Sequence, residues 1–278
     1  MGRSASTGSR LTRMHEAVGA ACLNIAHRGA RGHAPENTLP AFELAAQQGA
    51  HMFELDVHLS ADGQVVVHHD DDLLRCTDAA ERYPDRASYF VSDFTLAQLR
   101  TLDAGSWFQG ARAALIPTLD EVLALARSHR RMVNIELKQI PRMYRQLVAQ
   151  VFLCLDRLDM REQVLISSFD HQALISVRSS CERVATGALC AGRLARVAAY
   201  LALLDADAYH PSCSAQRDSL GLHAADGVLD TETIDELRAA GKHVNVWTCN
   251  EHAQMQQLRA AGVTGIVTDY PDRLATLA

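Results

Sequence analysis

The seven cysteines of this chain, at positions 22, 76, 154, 181, 190, 213 and 249, include no Cys-x-x-Cys pair, and their number is odd. That excludes a disulfide framework and the usual zinc-ribbon spacings. It reads instead as reduced thiols packed as small hydrophobes in a cytosolic protein. None lies in a recognisable nucleophile motif, so a catalytic cysteine is not expected. Long apolar runs are missing too. No segment approaches the roughly 18 apolar residues of a membrane span. The opening MGRSASTGSRLTRMHEAVGAACLNIA holds no apolar run long enough for a secretory signal. Its Gly2 context superficially fits a myristoylation pattern, which reads as chance, and residues 1–22 are expected to form a loosely docked tail. The third absence is positive charge. A formal net charge of −6 argues against a nucleic-acid partner, whose grip would rest on a basic surface. A small anionic substrate stays compatible, because a local cluster of Arg, Lys and metal can oppose the global sign.

What is present is an ordinary globular composition, 48% hydrophobic and 22% charged over 278 residues, enough for a core that needs no staple. Eight β-rich runs, at 23–26, 53–57, 132–137, 163–167, 184–189, 207–210, 243–248 and 265–268, alternate with helical patterns such as PAFELAAQQG and TLDEVLALARSH. Gly49, Gly241 and Gly262 close three of the helices. Alternation of this kind implies a parallel sheet with right-handed crossovers, and eight units are what a closed (β/α)8 TIM barrel requires. An open doubly wound sheet is the alternative, but no Gly-rich phosphate loop follows the first strand. One stretch breaks the rhythm. Val65–His68 follows the second run too closely for a parallel crossover and must form an antiparallel hairpin on Asp62-Gly63. Residues of about 58–115 are therefore expected to be an insertion over the C-terminal mouth of a single catalytic domain, 23–278.

In FELDVHL, Glu54 and Asp56 are two apart and share one face of a strand, with Phe53, Leu55 and Val57 on the other. Glu136 and Lys138 likewise share a face at the end of NIELK. Three carboxylates at strand ends are hard ligands, suited to Mg²⁺ or Ca²⁺. The competing reading is an internal salt-bridge network of Glu54, Asp56 and Glu136 with Arg28 and Lys138. His27 ends the first run, and His68 and His69 end the hairpin. Two imidazoles at the rim of a metal site match a general base and a general acid. Alternation lets only one of His68 and His69 point inward. His33 and Glu36 are candidates to complete the metal shell or orient His27, against a plain loop in which Asn37 or Thr38 caps the next helix. Trp107-Phe108 could wall the entrance or merely pack the insertion. Phe169 is expected near the mouth, and Asp269 is expected to fix the last turn.

The segments AHRGARGHAPENTLPAF, FELDVHLSADGQVVVHHDDDLLRCT, DAGSWF, IPTLDEVL, NIELK, VWTCN and GIVTDYPD, in this order over about residues 23–275, resemble the glycerophosphodiester phosphodiesterases, most closely the compact cytoplasmic bacterial type. The resemblance implies a divalent metal, Mg²⁺ or Ca²⁺, held by Glu54, Asp56 and Glu136, with His27 and His69 as the acid–base pair. It also implies phosphate binding by Arg28 and Lys138, and a pocket lined by Trp247. His58 and Arg75-Cys76-Thr77 depart from the family's pattern and bear on substrate detail. The expected reaction converts a glycerophosphodiester, such as glycerophosphocholine or glycerophosphoethanolamine, to glycerol 3-phosphate and an alcohol. Expected partners are this small molecule alone, with no nucleic acid and no stable membrane anchor; monomer and homodimer both stay open. Two rival classes are a metal barrel performing enolate chemistry through Lys138 and a non-catalytic binder of phosphorylated ligands.

Overall fold

The computed structural model describes residues 10–213, 222 and 229–277. The Gly2 motif lies outside them. Nine strands form one sheet: β1 (Leu23–Ala26), β2 (Met52–Leu59), β3 (Val65–Val67), β4 (Met132–Leu137), β5 (Val164–Ser168), β6 (Ala185–Cys190), β7 (Ala208–Pro211), β8 (His243–Val246) and β9 (Gly265–Thr268). Eight of them are parallel neighbours in sequence order. β1 pairs with both β9 and β2, so the sheet closes into a (β/α)8 TIM barrel. β3 is the antiparallel hairpin partner, with Val57 opposite Val67, and it lengthens β2 to Leu59.

Strand alternation decides what faces where. Phe53, Leu55 and Val57 of β2 and Val133, Ile135 and Leu137 of β4 are fully or almost fully buried in an outer core, packed with helix residues such as Leu123 and Ala126. The helix Leu119–Ser128 that covers them starts with a capping box between Thr118 and Glu121, which satisfies two of its free amides. The inward residues are graded along the axis. Met52, Met132, Leu165, Ala185 and Ala208 form an apolar layer at the N-terminal end. Above it lie Asn134, Ser167, His210 and Asn245, all buried. A Cβ on Gly187 would stand 2.5 Å from His210 Nε2, so only glycine leaves room for that imidazole inside the barrel. Glu54, Asp56 and Glu136 follow towards the C-terminal end.

The expectation of a loose tail fails over residues 10–18. They form a helix, Arg10–Val18, that carries Leu11 and Met14 into the apolar layer and so closes the barrel's lower end. Leu11, Met14 and Val18 recur at helical spacing on one face, a pattern too short to stand out in a Ser/Arg-rich opening. Arg10 pairs with Asp205 and Asp207, and His15 stacks on His243 with ring centroids 4.5 Å apart. The segment from Ser60 to Thr118 builds a satellite core from Val66, Leu73, Val91, Phe94, Leu99 and Ile116. All seven cysteines are free.

Candidate active site

At the C-terminal mouth the ends of β1, β2 and β4 bring their polar residues together. The carboxylates of Glu54, Asp56 and Glu136 offer oxygens that all lie within 4.8 Å of one another. Burying three such groups costs several kcal/mol unless opposite charge is supplied. Two cations supply part of it. Lys138 Nζ is 2.6 Å from Glu136 and 3.0 Å from Asp56, while Arg28 Nε is 3.4 Å from Asp56. The Arg28 backbone amide also donates to Glu54 at 2.9 Å. It can do so because Arg28 takes a left-handed φ of 54°, and Gly29 after it has a φ of 82°. A Cβ on Gly29 would lie 2.7 Å from the backbone of Ala41, so this turn has room for glycine alone.

The electrostatics of the triad are unequal. Burial raises Glu54 well above the ordinary carboxylate range, and the neighbouring Asp56 and Glu136 push it further. Burial also raises Glu136, against the opposing pull of Lys138. For Asp56 the burial penalty is overcome by Lys138, His69 and Arg28, which hold it well below its usual value. Lys138 is stabilised as the cation: burial disfavours its charge, but Asp56 and Glu136 outweigh that. Negative charge thus remains incompletely matched by the protein's own cations, and the donors are all hard oxygens. The residues present fit a divalent cation of the Mg²⁺ or Ca²⁺ kind.

His27 and His69 stand on the walls of the same small pocket, about 70 Å³, together with Arg28, Lys138, Phe169 and Trp247. Each imidazole has a carboxylate behind it. His27 Nδ1 is 2.6 Å from Asp269, and His69 Nδ1 is 2.6 Å from Asp70. Burial and the adjacent Arg28 lower His27 to about 4, even though Asp269 acts the other way, so the ring is neutral near pH 7. His68 points elsewhere, its Nε2 bonded to the Asp72 carbonyl at 2.9 Å. His58, buried on the β2 strand of the hairpin, sits 3.2 Å from the His69 carbonyl and 3.1 Å from the Tyr144 hydroxyl. It supports the His69 backbone and does not face the pocket.

The loop after β1 serves the site as well as the helix. Thr38 caps Leu39–Gln47, accepting from Ala41. Asn37 instead donates to Asp56 at 2.8 Å, and Glu36 receives Arg28 at 2.8 Å and Arg75 at 2.7 Å. Those arginines hold Glu36 at about 2 despite its burial. Arg75 also donates to Asp70, so one guanidinium ties the supports of Arg28 and His69 together. His33 is not part of this shell; it lies 3.2 Å from Asp272 on the protein's exposed side. Trp247 donates to the His210 carbonyl at 2.7 Å, and Phe169 meets its ring edge-to-face at 5.5 Å. Trp107 and Phe108 do not line the pocket.

Asp269 is the correction of most consequence. Expected to fix the last turn, it is instead the partner of His27 and is itself held by Asn250 at 2.8 Å. Nothing in the local sequence announces this, since 242 residues separate the pair. The available signal is its place one residue past a barrel strand, where barrels put functional groups.

A closed parallel barrel with a carboxylate cluster that could hold a metal ion and two imidazoles at its C-terminal mouth is the arrangement of a barrel enzyme. The model of the glycerophosphoryl diester phosphodiesterase family matches residues 27–273, and the chain belongs to that family. It is 36% identical over 256 residues to a putative glycerophosphodiester phosphodiesterase of Bacillus subtilis, covering 89% of this chain and 94% of that one. It is 34% identical over 259 residues to a glycerophosphodiester phosphodiesterase of Caldanaerobacter subterraneus, covering 92% and 97%. Among solved structures, an Oleispira antarctica phosphodiesterase in complex with the product sn-glycerol-3-phosphate superposes with a TM-score of 0.75 at 31% identity, covering 90% of this chain and 94% of that one.

Proposed function

We propose that this enzyme hydrolyses soluble glycerophosphodiesters, such as glycerophosphocholine or glycerophosphoethanolamine, to glycerol 3-phosphate and the free alcohol. The observation that carries the reading is a carboxylate triad beside one pocket lined by two of its members, Glu54 and Glu136, by two carboxylate-backed imidazoles and by two cations. Glu54, Asp56 and Glu136 would hold Mg²⁺ or Ca²⁺. Such an ion supplies Lewis-acid stabilisation of charge building on the phosphoryl oxygens. Arg28 and Lys138 bind the phosphate and add to that stabilisation. His27, held neutral with Nδ1 engaged by Asp269, is equipped to take the proton from the attacking oxygen, whether of water or of the neighbouring glycerol hydroxyl. His69, which lines the same pocket, gives a proton to the departing alcohol oxygen. Trp247 and Phe169 shape the apolar side of the pocket against the glycerol or the head group.

Enolate chemistry would need a lysine with a lowered pKa, whereas Lys138 is raised by its two carboxylate partners. A mere binder has no use for two oriented imidazoles. No helix of the described residues is long and apolar enough to cross a membrane, and the free thiols support a cytoplasmic setting. The test is an assay of glycerophosphocholine and glycerophosphoethanolamine with Mg²⁺, Ca²⁺ or EDTA. Metal-dependent release of glycerol 3-phosphate is expected. If metal-replete protein releases none from any glycerophosphodiester, the reading fails.

A further inference from the structure

A second cavity lies at the opposite end of the barrel, beside the first residues of β4, β5 and β6 and under the helix Arg10–Val18. Its volume is about 700 Å³, ten times that of the catalytic pocket. Seven arginines line it, with no lysine and only two carboxylates, Asp159 and Glu162, in a chain whose net charge is −6.

Three of those arginines face carboxylates. Arg10 pairs with Asp205 and Asp207, Arg161 with Asp156, and Arg183 stands 3.8 Å from Glu162. The other four have no carboxylate partner among the described residues. Arg127 and Arg131 each donate one bond to a carbonyl, of Leu158 and Ala46, at 3.1 and 3.2 Å. The side chains of Arg13 and Arg130 have no partner among the described residues. Arg131 Nε is buried and unbonded, a donor left without an acceptor beside the cavity. Like charges gathered this way repel, and a buried donor left unpaired is costly; a bound anion relieves both. Planar guanidinium forks match phosphate oxygens two at a time. The remaining lining includes Met14, Val18, Met132, Leu158 and Met160, an apolar floor.

We propose that this cavity binds a small molecule carrying a multiply charged phosphate group on an apolar moiety, at a site separate from the catalytic mouth. The phosphate sits among Arg13, Arg127, Arg130 and Arg131, and the apolar part lies on the methionines. Because Arg13 belongs to the N-terminal helix and the others to the end of the helix Leu119–Ser128 and the loop after it, the ligand bridges the two and raises the melting temperature by linkage. A nucleotide and a lysophosphatidate share this chemistry.

The test is titration calorimetry of the full chain in EDTA, paired with thermal melting. Its three arms use adenosine diphosphate, lysophosphatidate below its aggregation concentration, and inorganic pyrophosphate. Saturable binding of one amphiphile, at least tenfold tighter than pyrophosphate and accompanied by a higher melting temperature, supports the proposal and identifies the source as nucleotide or lipid. The double variant Arg13→Glu with Arg130→Glu should weaken that binding at least tenfold. The milder Arg13→Gln with Arg130→Gln should weaken it while leaving the unliganded melting temperature in place. Absence of binding in all three arms, equal binding of pyrophosphate, or undiminished binding by both double variants would overturn it. None of these readouts depends on phosphodiesterase turnover.

Discussion

The two ends of this barrel are built from the same strands and do opposite things with charge. On β2, Met52 and Asp56 share a face four residues apart; on β4, Met132 and Glu136 do the same. At the N-terminal end the inward face is apolar and sealed by Leu11 and Met14, with arginines outnumbering carboxylates at the rim. At the C-terminal end charges of both signs are turned inward and interlocked. Burial at the lower end contributes stability. Burial at the upper end costs stability and yields groups with displaced proton affinities.

That contrast predicts where substitutions act. The largest effect belongs to the imidazoles. His69→Ala should cut turnover by about 10²–10⁴-fold, the range of acid–base catalysis, while His68→Ala keeps most activity. The reverse outcome in a steady-state assay would show that the hairpin register is wrong. Next, Asp269→Asn should lower kcat by on the order of tenfold or more with little change in KM, because it loosens His27 without touching the phosphate ligands. An Asp269→Asn enzyme with full kcat would return that residue to a structural role.

The lower end should respond in stability alone. Leu11 is fully buried in the apolar layer, so Leu11→Ala should cost about 2–5 kcal/mol in denaturant unfolding, with kcat unchanged where the variant is folded. A loss of kcat at temperatures well below its melting point would mean that the two ends are coupled. The smallest expected effect is one of pH. Burial, helped by His15, lowers His243 to about 3 from an ordinary 6.5. Between those values the unfolded chain binds a proton that the folded chain refuses, so stability falls as pH drops from about 6.5 toward 3. His243→Asn should flatten the acid limb of a melting-temperature profile relative to wild type. His27, lowered to about 4, adds a loss of the same sign at the catalytic end that the variant leaves in place.

Much of this was legible in the sequence because strands alternate with a fixed period. Glu54, Asp56, Glu136 and Lys138 could be set inward from spacing alone, and eight strand–helix units sufficed for the barrel. The resemblance of the motifs selected His69 over His68; His69 lines the pocket, while His68 is bonded to the Asp72 carbonyl. What stayed hidden depends on closure of the chain on itself. Asp269 reaches His27 only because β9 pairs with β1, and Arg75 reaches Glu36 across 39 residues. The arginines of the second cavity come from the N-terminal helix and, more than a hundred residues on, from the basic run Arg127, Arg130 and Arg131 at a helix end, so nothing in the sequence brings the two groups together. The sealing helix is hard to read from sequence because it is only nine residues long and follows a Ser/Arg-rich opening.

The central claim is that the carboxylate triad at the upper mouth serves a divalent cation in phosphodiester hydrolysis. The alternative is that it is only neutralised by Arg28 and Lys138. The direct measurement is glycerol 3-phosphate release from glycerophosphocholine as Mg²⁺ or Ca²⁺ is titrated into metal-stripped wild type and Glu54→Gln. The wild type should regain turnover along a saturating curve, and Glu54→Gln should need far more metal or fail to recover. Full turnover in EDTA, or identical metal curves for the two proteins, would contradict the claim.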